Sequence, residues 1–323
     1  MKKIAVVCII FAAVAASFGT SLGAQNFLDQ SRHLIRVERP FERIISLYPA
    51  HTENLFSLGL DREIIGVSGD EAFSPEAGKK PVFSYHDDAE KFIAAQPDLV
   101  LIRPMIARGY RGLISKLRES GIAVVSLQPR TVDGMFTYWR GLGVLTGRET
   151  EADQMVQEFK RGLLKIRSIV NSIPPSGRKR VYFEAIHSKM KTFSPSSIAM
   201  FALTTAGGIN VAADAKAVRN TNIAAYGKEH IMSHGDDIDV YLAQRGAMNQ
   251  ISVERIEEEG GFRAIKAVRE GQVYIIDEKI VSRPTLRLLD GIYEIGRILY
   301  PKKFINHEPL NHEPVNGYEK PNK

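Results

Sequence analysis

The chain has 323 residues and a formal charge of +6, from 43 basic and 37 acidic side chains. The basic residues are scattered and form no stripe, which argues against nucleic-acid binding. Its one cysteine, Cys8, lies in an apolar run near the N-terminus; beyond that run there is no thiol for disulfides, thiol catalysis or thiolate metal sites.

Lys2-Lys3, an apolar run from Ile4 to Phe18 and small residues ending in Ser21-Leu22-Gly23-Ala24 have the layout of a secretory signal peptide over 1–24, too short to span a membrane comfortably. Cleavage after Ala24 leaves Leu22 where small residues are preferred, whereas cleavage after Gly23 puts Ser21 there. Cys8 does not sit at a lipid-attachment position, so the expectation is a soluble protein free in the periplasm. About 300 residues remain after cleavage, more than one hydrophobic core usually serves, and two lobes are expected.

The first half alternates strand and helix. Arg43 to Tyr48 (RIISLY) reads as a strand before Pro49, Thr52 to Leu58 as a helix ending at Gly59, and Ile64 to Val67 as a second strand. Asp98 to Ile102 (DLVLI) follows a helix that begins near Ala89, and Ala123 to Leu127 follows another that ends at Gly121. Such alternation predicts a parallel sheet covered by helices.

From Thr150 to Ile173 the apolar residues Met155, Phe159, Leu163, Ile166, Val170 and Ile173 recur every three or four positions, the period of an amphipathic helix. Thr150 is the expected N-cap, with Asp153 three residues on, and Pro174-Pro175 stops the helix. By itself this stretch fits either a long surface helix or a connector between two domains. The second half repeats the α/β plan, with strands at Arg180 to Ala185, Asp239 to Ala243 and Gln272 to Asp277, and helices at Ser197 to Thr205 and Leu286 to Tyr300. Two such halves favour the connector. The expected division is an N-terminal lobe over 25–149, a connecting helix over 150–173 and a C-terminal lobe over 174–304. A disordered tail follows over 305–323, where Asn306-His307-Glu308-Pro309 recurs as Asn311-His312-Glu313-Pro314.

Several segments in order resemble one family. Glu42 to Leu47, Thr52 to Leu60, Ile65 to Val67, Ala94 to Val100 (AAQPDLV), Ala206 to Val211 (AGGINV) and Ala267 to Tyr274 (AVREGQVY) look like the signatures of periplasmic substrate-binding proteins of ABC importers, the class for iron-siderophores, haem and cobalamin. The resemblance runs from about Arg36 to Tyr300. It implies two Rossmann-like α/β lobes with central, mostly parallel sheets, joined by one long helix, with a metal chelate held in the cleft and no intrinsic cofactor. It also implies delivery to a permease and ATPase in the inner membrane by a protein expected to be monomeric.

Ligands of open α/β sheets bind outside the carboxyl ends of the strands, so the residues after each strand are the cleft candidates. These are Tyr48 and His51 after the first strand, Arg103 and Met105 after DLVLI, His187 and Met190 after RVYFEA, and Arg245 after DVYLA. Tyr85 and His86 precede the Ala89 helix, and Arg283 follows QVYIID. Tyrosine and histidine offer flat faces or metal ligands, and arginine pairs with carboxylate or phosphate. Each also has a plain structural use: the tyrosines packed in loops, His51 capping a helix, the arginines solvated. Members of the resembled class often carry a small residue where this chain has His51, so axial ligation of haem or a corrinoid is open beside ordinary hydrogen bonding.

Glu90 and Glu229 start helices at equivalent places in the two halves, and the resemblance implies that they grip permease arginines. A carboxylate at a helix start is also simply stabilised by the dipole. No nucleophile elbow, phosphate loop or HExxH occurs, so no enzyme is expected. Two alternatives are carried: a zinc or manganese binder that uses His51, His86 and His187, and a periplasmic tetrapyrrole metal chelatase. His230 and His234 have chelating spacing but no third ligand, so a solvated helix face is expected there.

Overall fold

The structure, a computed structural model, describes residues 25–69, 75–218 and 221–305. The expected signal peptide with Cys8, and the tail from Asn306 with His307 and His312, lie outside the described residues. A short antiparallel hairpin, β1 (Gln25–Leu28) and β2 (Leu34–Val37), comes first. It is followed by β3 (Ile44–Ser46), α1 (Pro49–Ser57), β4 (Ile64–Val67), α2 (Pro75–Gly78), α3 (Ala89–Ala95), β5 (Leu99–Ile102), α4 (Pro104–Gly109), α5 (Arg111–Glu119), β6 (Ala123–Ser126) and α6 (Val132–Thr146). The four strands run parallel in the order β4-β3-β5-β6. Both faces are covered by helices, so β3 and β5 are buried along their whole length and read as continuous apolar runs. The chain leaves β3 for β4 on one side, and β5 lies on the other; this places a topological switch point above the carboxyl ends of β3 and β5.

Helix α7 (Glu149–Asn171) crosses to the second half; its 23 residues span about 35 Å at 1.5 Å each. There follow β7 (Arg180–Ile186), β8 (Lys191–Phe193), α8 (Ile198–Thr205), β9 (Ile209–Asn210), β10 (Lys216–Ala217), β11 (Ile223–Ala225), α9 (Lys228–Ser233), β12 (Val240–Arg245), α10 (Val253–Glu257), α11 (Lys266–Arg269), β13 (Val273–Asp277), α12 (Glu278–Val281) and α13 (Leu288–Leu299). Their sheet has the order β10-β11-β8-β7-β12-β13, with β9 beside the start of β7. β7, β9, β12 and β13 are parallel, and β8, β11 and β10 are antiparallel to their neighbours. The second sheet is therefore mixed where a mostly parallel one was expected. The added strands are two or three residues long, too short to show an alternation of side chains.

Three sequence expectations shift in detail. The connector starts at Glu149, one residue before the expected cap: Arg148 is its N-cap, with no side-chain hydrogen bond, while Asp153 accepts from Arg140 Nε at 2.7 Å. Helix α1 begins at Pro49, because proline fits the first helical position, whose N–H has no partner in any case. His51 thereby moves from the expected loop into the first turn of a buried helix. The last helix starts at Leu288, two residues later than expected.

The halves share apolar packing. One buried cluster takes in Ile44, Leu99 and Val125 from the first sheet, Met155, Phe159, Leu163 and Ile166 from α7, and Phe183, Leu242 and Leu289 from the second half. A Cβ at Gly162 would come within 2.5 Å of Leu289 Cδ1, so α7 and α13 meet closely there and a larger residue would have to push the Leu289 side chain aside. Polar groups also cross. Arg287, ahead of α13, donates from Nε and Nη2 to the two carboxylate oxygens of Glu53 on α1 at 2.8 and 2.5 Å, with both residues buried. The carbonyl of Pro284 accepts from Asn54 Nδ2 and from Trp139 Nε1, each at 3.0 Å. Burial presses the Arg287 pKa down, and the hydrogen bonds and charge of Glu53 more than reverse that, leaving it raised.

Arg287→Met should cost about 3–5 kcal/mol, because it leaves Glu53 buried without its counter-charge, whereas Glu53→Leu combined with Arg287→Met should recover most of the loss. Urea unfolding at pH 7 measures both; a single-variant loss below about 1 kcal/mol would show that the pair does not hold the halves.

Candidate functional site

The switch point of the first sheet places two side chains together. Tyr48 follows β3 and is the extended N-cap residue of α1; Arg103 follows β5 and occupies the same place before α4, with Pro104 at its first position. Because β3 and β5 are neighbours, the Arg103 guanidinium lies over the Tyr48 ring, 4.6 Å from its centroid. Arg103 Nε is buried and has no hydrogen-bond partner among the described residues. The ring thus holds the guanidinium by its face and leaves a buried Nε–H without a partner.

The second half reaches the same point. Glu278 opens α12 directly after β13, and Arg283 follows that helix. Burial raises the Tyr48 hydroxyl pKa; the charges of Arg103 and Arg283 work against this, and Glu278 and Glu53 add to it. Tyr48 is therefore the place where charges from both halves converge. Arg283 is only 5% exposed, so it is an interior group and not a solvated loop residue.

The first half also carries an aromatic patch. Tyr85, His86 and Tyr110 have ring centroids 4.4, 4.8 and 5.2 Å apart, and the Tyr110 hydroxyl is 3.2 Å from His86 Nδ1. His86 is exposed and the two tyrosines are half-buried. Tyr110 was not among the sequence candidates. Its signal is its position between α4 and α5, one short helix beyond Arg103. Met105 on α4 is 39% exposed.

His51 and His187 lie elsewhere than expected. His51 is fully buried; its Nε2 donates to the Ile102 carbonyl at 3.2 Å, and its Nδ1 lies 2.7 Å from the Tyr138 hydroxyl, which also accepts from Asn54 at 3.1 Å. Burial, with help from the Arg103 charge and against the hydrogen bond to Ile102, lowers its pKa to about 3. It is a neutral interior group with both nitrogens engaged, and not a cleft ligand. His187 follows β7, where its Nδ1 bonds Glu184 Oε2 at 2.8 Å. Glu184 is fully buried and also accepts from Tyr241 at 2.5 Å and Asn249 at 3.2 Å. His187 Nε2 stands 3.6 Å from Glu259 Oε2, an ionic contact too long for a hydrogen bond, and Glu259 pairs with Lys228 at 2.5 Å. The bond to Glu184 raises the His187 pKa; burial opposes this, the charges of Glu184 and Glu259 reinforce it, and Arg255 opposes it.

Met190 is half-buried in the left-handed conformation, φ 45°, and packs against the second half's own core. Its carbonyl accepts from Gly227 N at 3.0 Å. Arg245 is half-buried at the end of β12. His51, His86 and His187 thus belong to three separate neighbourhoods. Among the described residues no group of three His, Asp or Glu side chains is placed to hold a metal ion, which leaves the zinc or manganese reading without a ligand set. The chelatase reading loses His51 and His187 as cleft histidines. Glu90 and Glu229 are exposed in the first turns of α3 and α9, Glu90 with Lys116 Nζ at 3.8 Å. His230 and His234 both pack on Tyr226.

Residues 44–280 match the periplasmic binding protein family, to which this chain belongs. It is 25% identical over 279 residues to an uncharacterised ABC transporter substrate-binding lipoprotein of Bacillus subtilis, covering 85% of each chain. It is 22% identical over 285 residues to a vitamin B12-binding protein of Vibrio cholerae, over 84% of this chain and 94% of that one. The crystal structure of a possible iron-binding (periplasmic solute-binding) protein from Staphylococcus epidermidis superposes with a TM-score of 0.69 at 27% identity, covering 81% of this chain and all of that one. No described helix is long and apolar enough to cross a membrane.

The two buried histidines should give opposite pH dependences. The lowered pKa of His51 makes its contribution complete above about 6.5 and lost as pH falls toward 3, at up to about 1.4 kcal/mol per pH unit. The raised pKa of His187 makes its contribution complete below about 6.5 and lost as pH climbs through the raised value. In urea unfolding between pH 5 and 8, the cost of His51→Gln should therefore shrink toward acid and that of His187→Gln toward alkali. Costs that do not change with pH would contradict both assignments.

Proposed function

We propose that this chain is the periplasmic solute-binding component of an ABC importer, working as a monomer. It captures a metal chelate with anionic edge groups, such as an iron-siderophore, haem or a corrinoid, and passes it to the permease and its ATPase. The observation that carries this reading is the Arg103 guanidinium, seated on Tyr48 at the switch point with Nε unmet. Arg283 and Glu278 from the second half face the same point, and the Tyr85–His86–Tyr110 patch supplies flat surface for a macrocycle or an aromatic chelator. The B12-binding relative and the possible iron-binding structure support the same class of cargo. The metal arrives inside its chelator, so the protein needs no metal ligands of its own.

Titration of the purified protein with haem, cyanocobalamin, a ferric hydroxamate and bare zinc, followed by visible spectra and calorimetry, tests the reading. One chelate should bind at 1:1, and Arg103→Met should weaken it by about tenfold or more, the worth of a charge-assisted hydrogen bond. Tight 1:1 zinc binding without any chelate would overturn it.

We propose Glu90 and Glu229 as the docking carboxylates, one exposed at the head of a helix in each half. Reversing both to lysine should abolish uptake in cells while the chelate affinity of the isolated protein stays the same. Unimpaired uptake would remove the assignment.

A further inference from the structure

On the connecting helix, away from the residues assigned to the chelate, lies a cavity of about 600 Å³. Its walls come from the first turns of α6, the mid-section of α7, and the loop at Pro195–Ser197 with the adjoining face of α8. Segments before and after the crossover therefore build it together. Its volume is that of a site for a small organic molecule, within the 300–1,000 Å³ of such pockets.

The chemistry of the walls is amphipathic. Lys160, Leu164 and Arg167 lie on one face of α7 at the spacing i, i+4, i+7. Leu164 is 64% exposed, a large apolar side chain in the open between half-buried Phe136 and Phe201, with buried Leu163 below. Lys160 and Arg167 stand about 10 Å apart along the helix. Neither makes an ion pair with a described residue; Lys160 lies over the Phe136 ring at 5.6 Å. Asp133 is the only carboxylate among the lining residues, so the cavity has an excess of positive charge. An apolar body between two unpaired cations calls for a ligand of matching build.

We propose that this cavity binds a small anionic amphiphile, a hydrocarbon or aromatic body bearing one carboxylate or sulfonate. The acid group is held by Lys160 or Arg167, and the body lies against Phe136, Leu164 and Phe201. The site is separate from the chelate surface, which shares none of its lining residues, and the inference does not depend on that reading. One layer of side chains lies between them: Phe136 packs on Trp139 with centroids 5.9 Å apart, and Trp139 holds the Pro284 carbonyl next to Arg283.

Fluorescence titration of the full chain with 8-anilinonaphthalene-1-sulfonate, followed by displacement with laurate, tests the proposal. One saturable site is expected, displaced by laurate and weakened about tenfold in Lys160→Glu/Arg167→Glu. The charge-conserving variant Lys160→Arg/Arg167→Lys should retain it, and Arg103→Met should leave it unaltered. Circular dichroism and the urea midpoint check that the charge-reversed variant is folded. The proposal fails if no site saturates, if binding survives the charge reversal of the folded variant, or if Arg103→Met abolishes it. Co-sedimentation with phosphatidylglycerol vesicles without displacement by laurate would also overturn it, by assigning the cations to a membrane surface.

Discussion

The rest of the structure depends on a pair of charges taken out of water between the two halves. Glu53 and Arg287 are separated by 234 positions in sequence and are both buried. Such a pair returns its desolvation cost only when the geometry is satisfied at both ends, and here the guanidinium meets both carboxylate oxygens. Removing either end strands a charge in the interior. The pair therefore fixes how α1 and the segment before α13 lie against each other, and the neighbouring bonds of Asn54 and Trp139 to the Pro284 carbonyl fix it a second time.

On the proposed function, rigidity at that point limits how far the two halves can separate around a ligand. The first sheet presents Tyr48 and Arg103, the second half presents Glu278 and Arg283, and the locked segment between them carries Pro284. With α7 packed in a core common to both halves and held against α13 at Gly162, wide opening would break apolar contacts and polar ties together. On the proposed function, signalling of a bound state through the exposed glutamates would then rest on small displacements of packed elements, not on a free hinge.

Periodicity made the architecture legible, and burial made the site only partly so. The spaced apolar residues Met155, Phe159, Leu163, Ile166 and Val170 of α7 and the short apolar runs of β3, β5, β7, β12 and β13 identify themselves, because a buried face leaves a period in the sequence. The short antiparallel strands β8, β10 and β11 leave none. The rule that ligands lie beyond strand ends picked out Tyr48 and Arg103, which the structure brings into contact, since it depends on topology alone. It said nothing of whether a side chain at such a place turns outward. His51 sits one turn into a helix that Pro49 starts early, and His187 turns back onto a buried carboxylate three residues before it. Both are decided by partners distant in sequence: Tyr138 and Ile102 for one, Tyr241, Asn249 and Glu259 for the other. Tyr110 was missed for the same reason, because its meeting with Tyr85 and His86 needs the loop of one element beside the cap of another.

The fate of the histidines bears directly on recognition. An imidazole that is to ligate a metal must be neutral and must keep one nitrogen free. His51 is neutral but has both nitrogens bonded, and His187 is drawn toward its charged form between Glu184 and Glu259. What these residues offer in place of imidazole ligands is a guanidinium with its Nε unpaired and a set of aromatic faces, with the exposed His86 ring among them. Those groups read charge and flatness at the edge of a ligand and leave its centre alone. On the proposed function, discrimination among chelates would then follow the placement of their anionic groups and planar parts more than the identity of the metal, and a metal-free chelator of the same shape would compete with the loaded one.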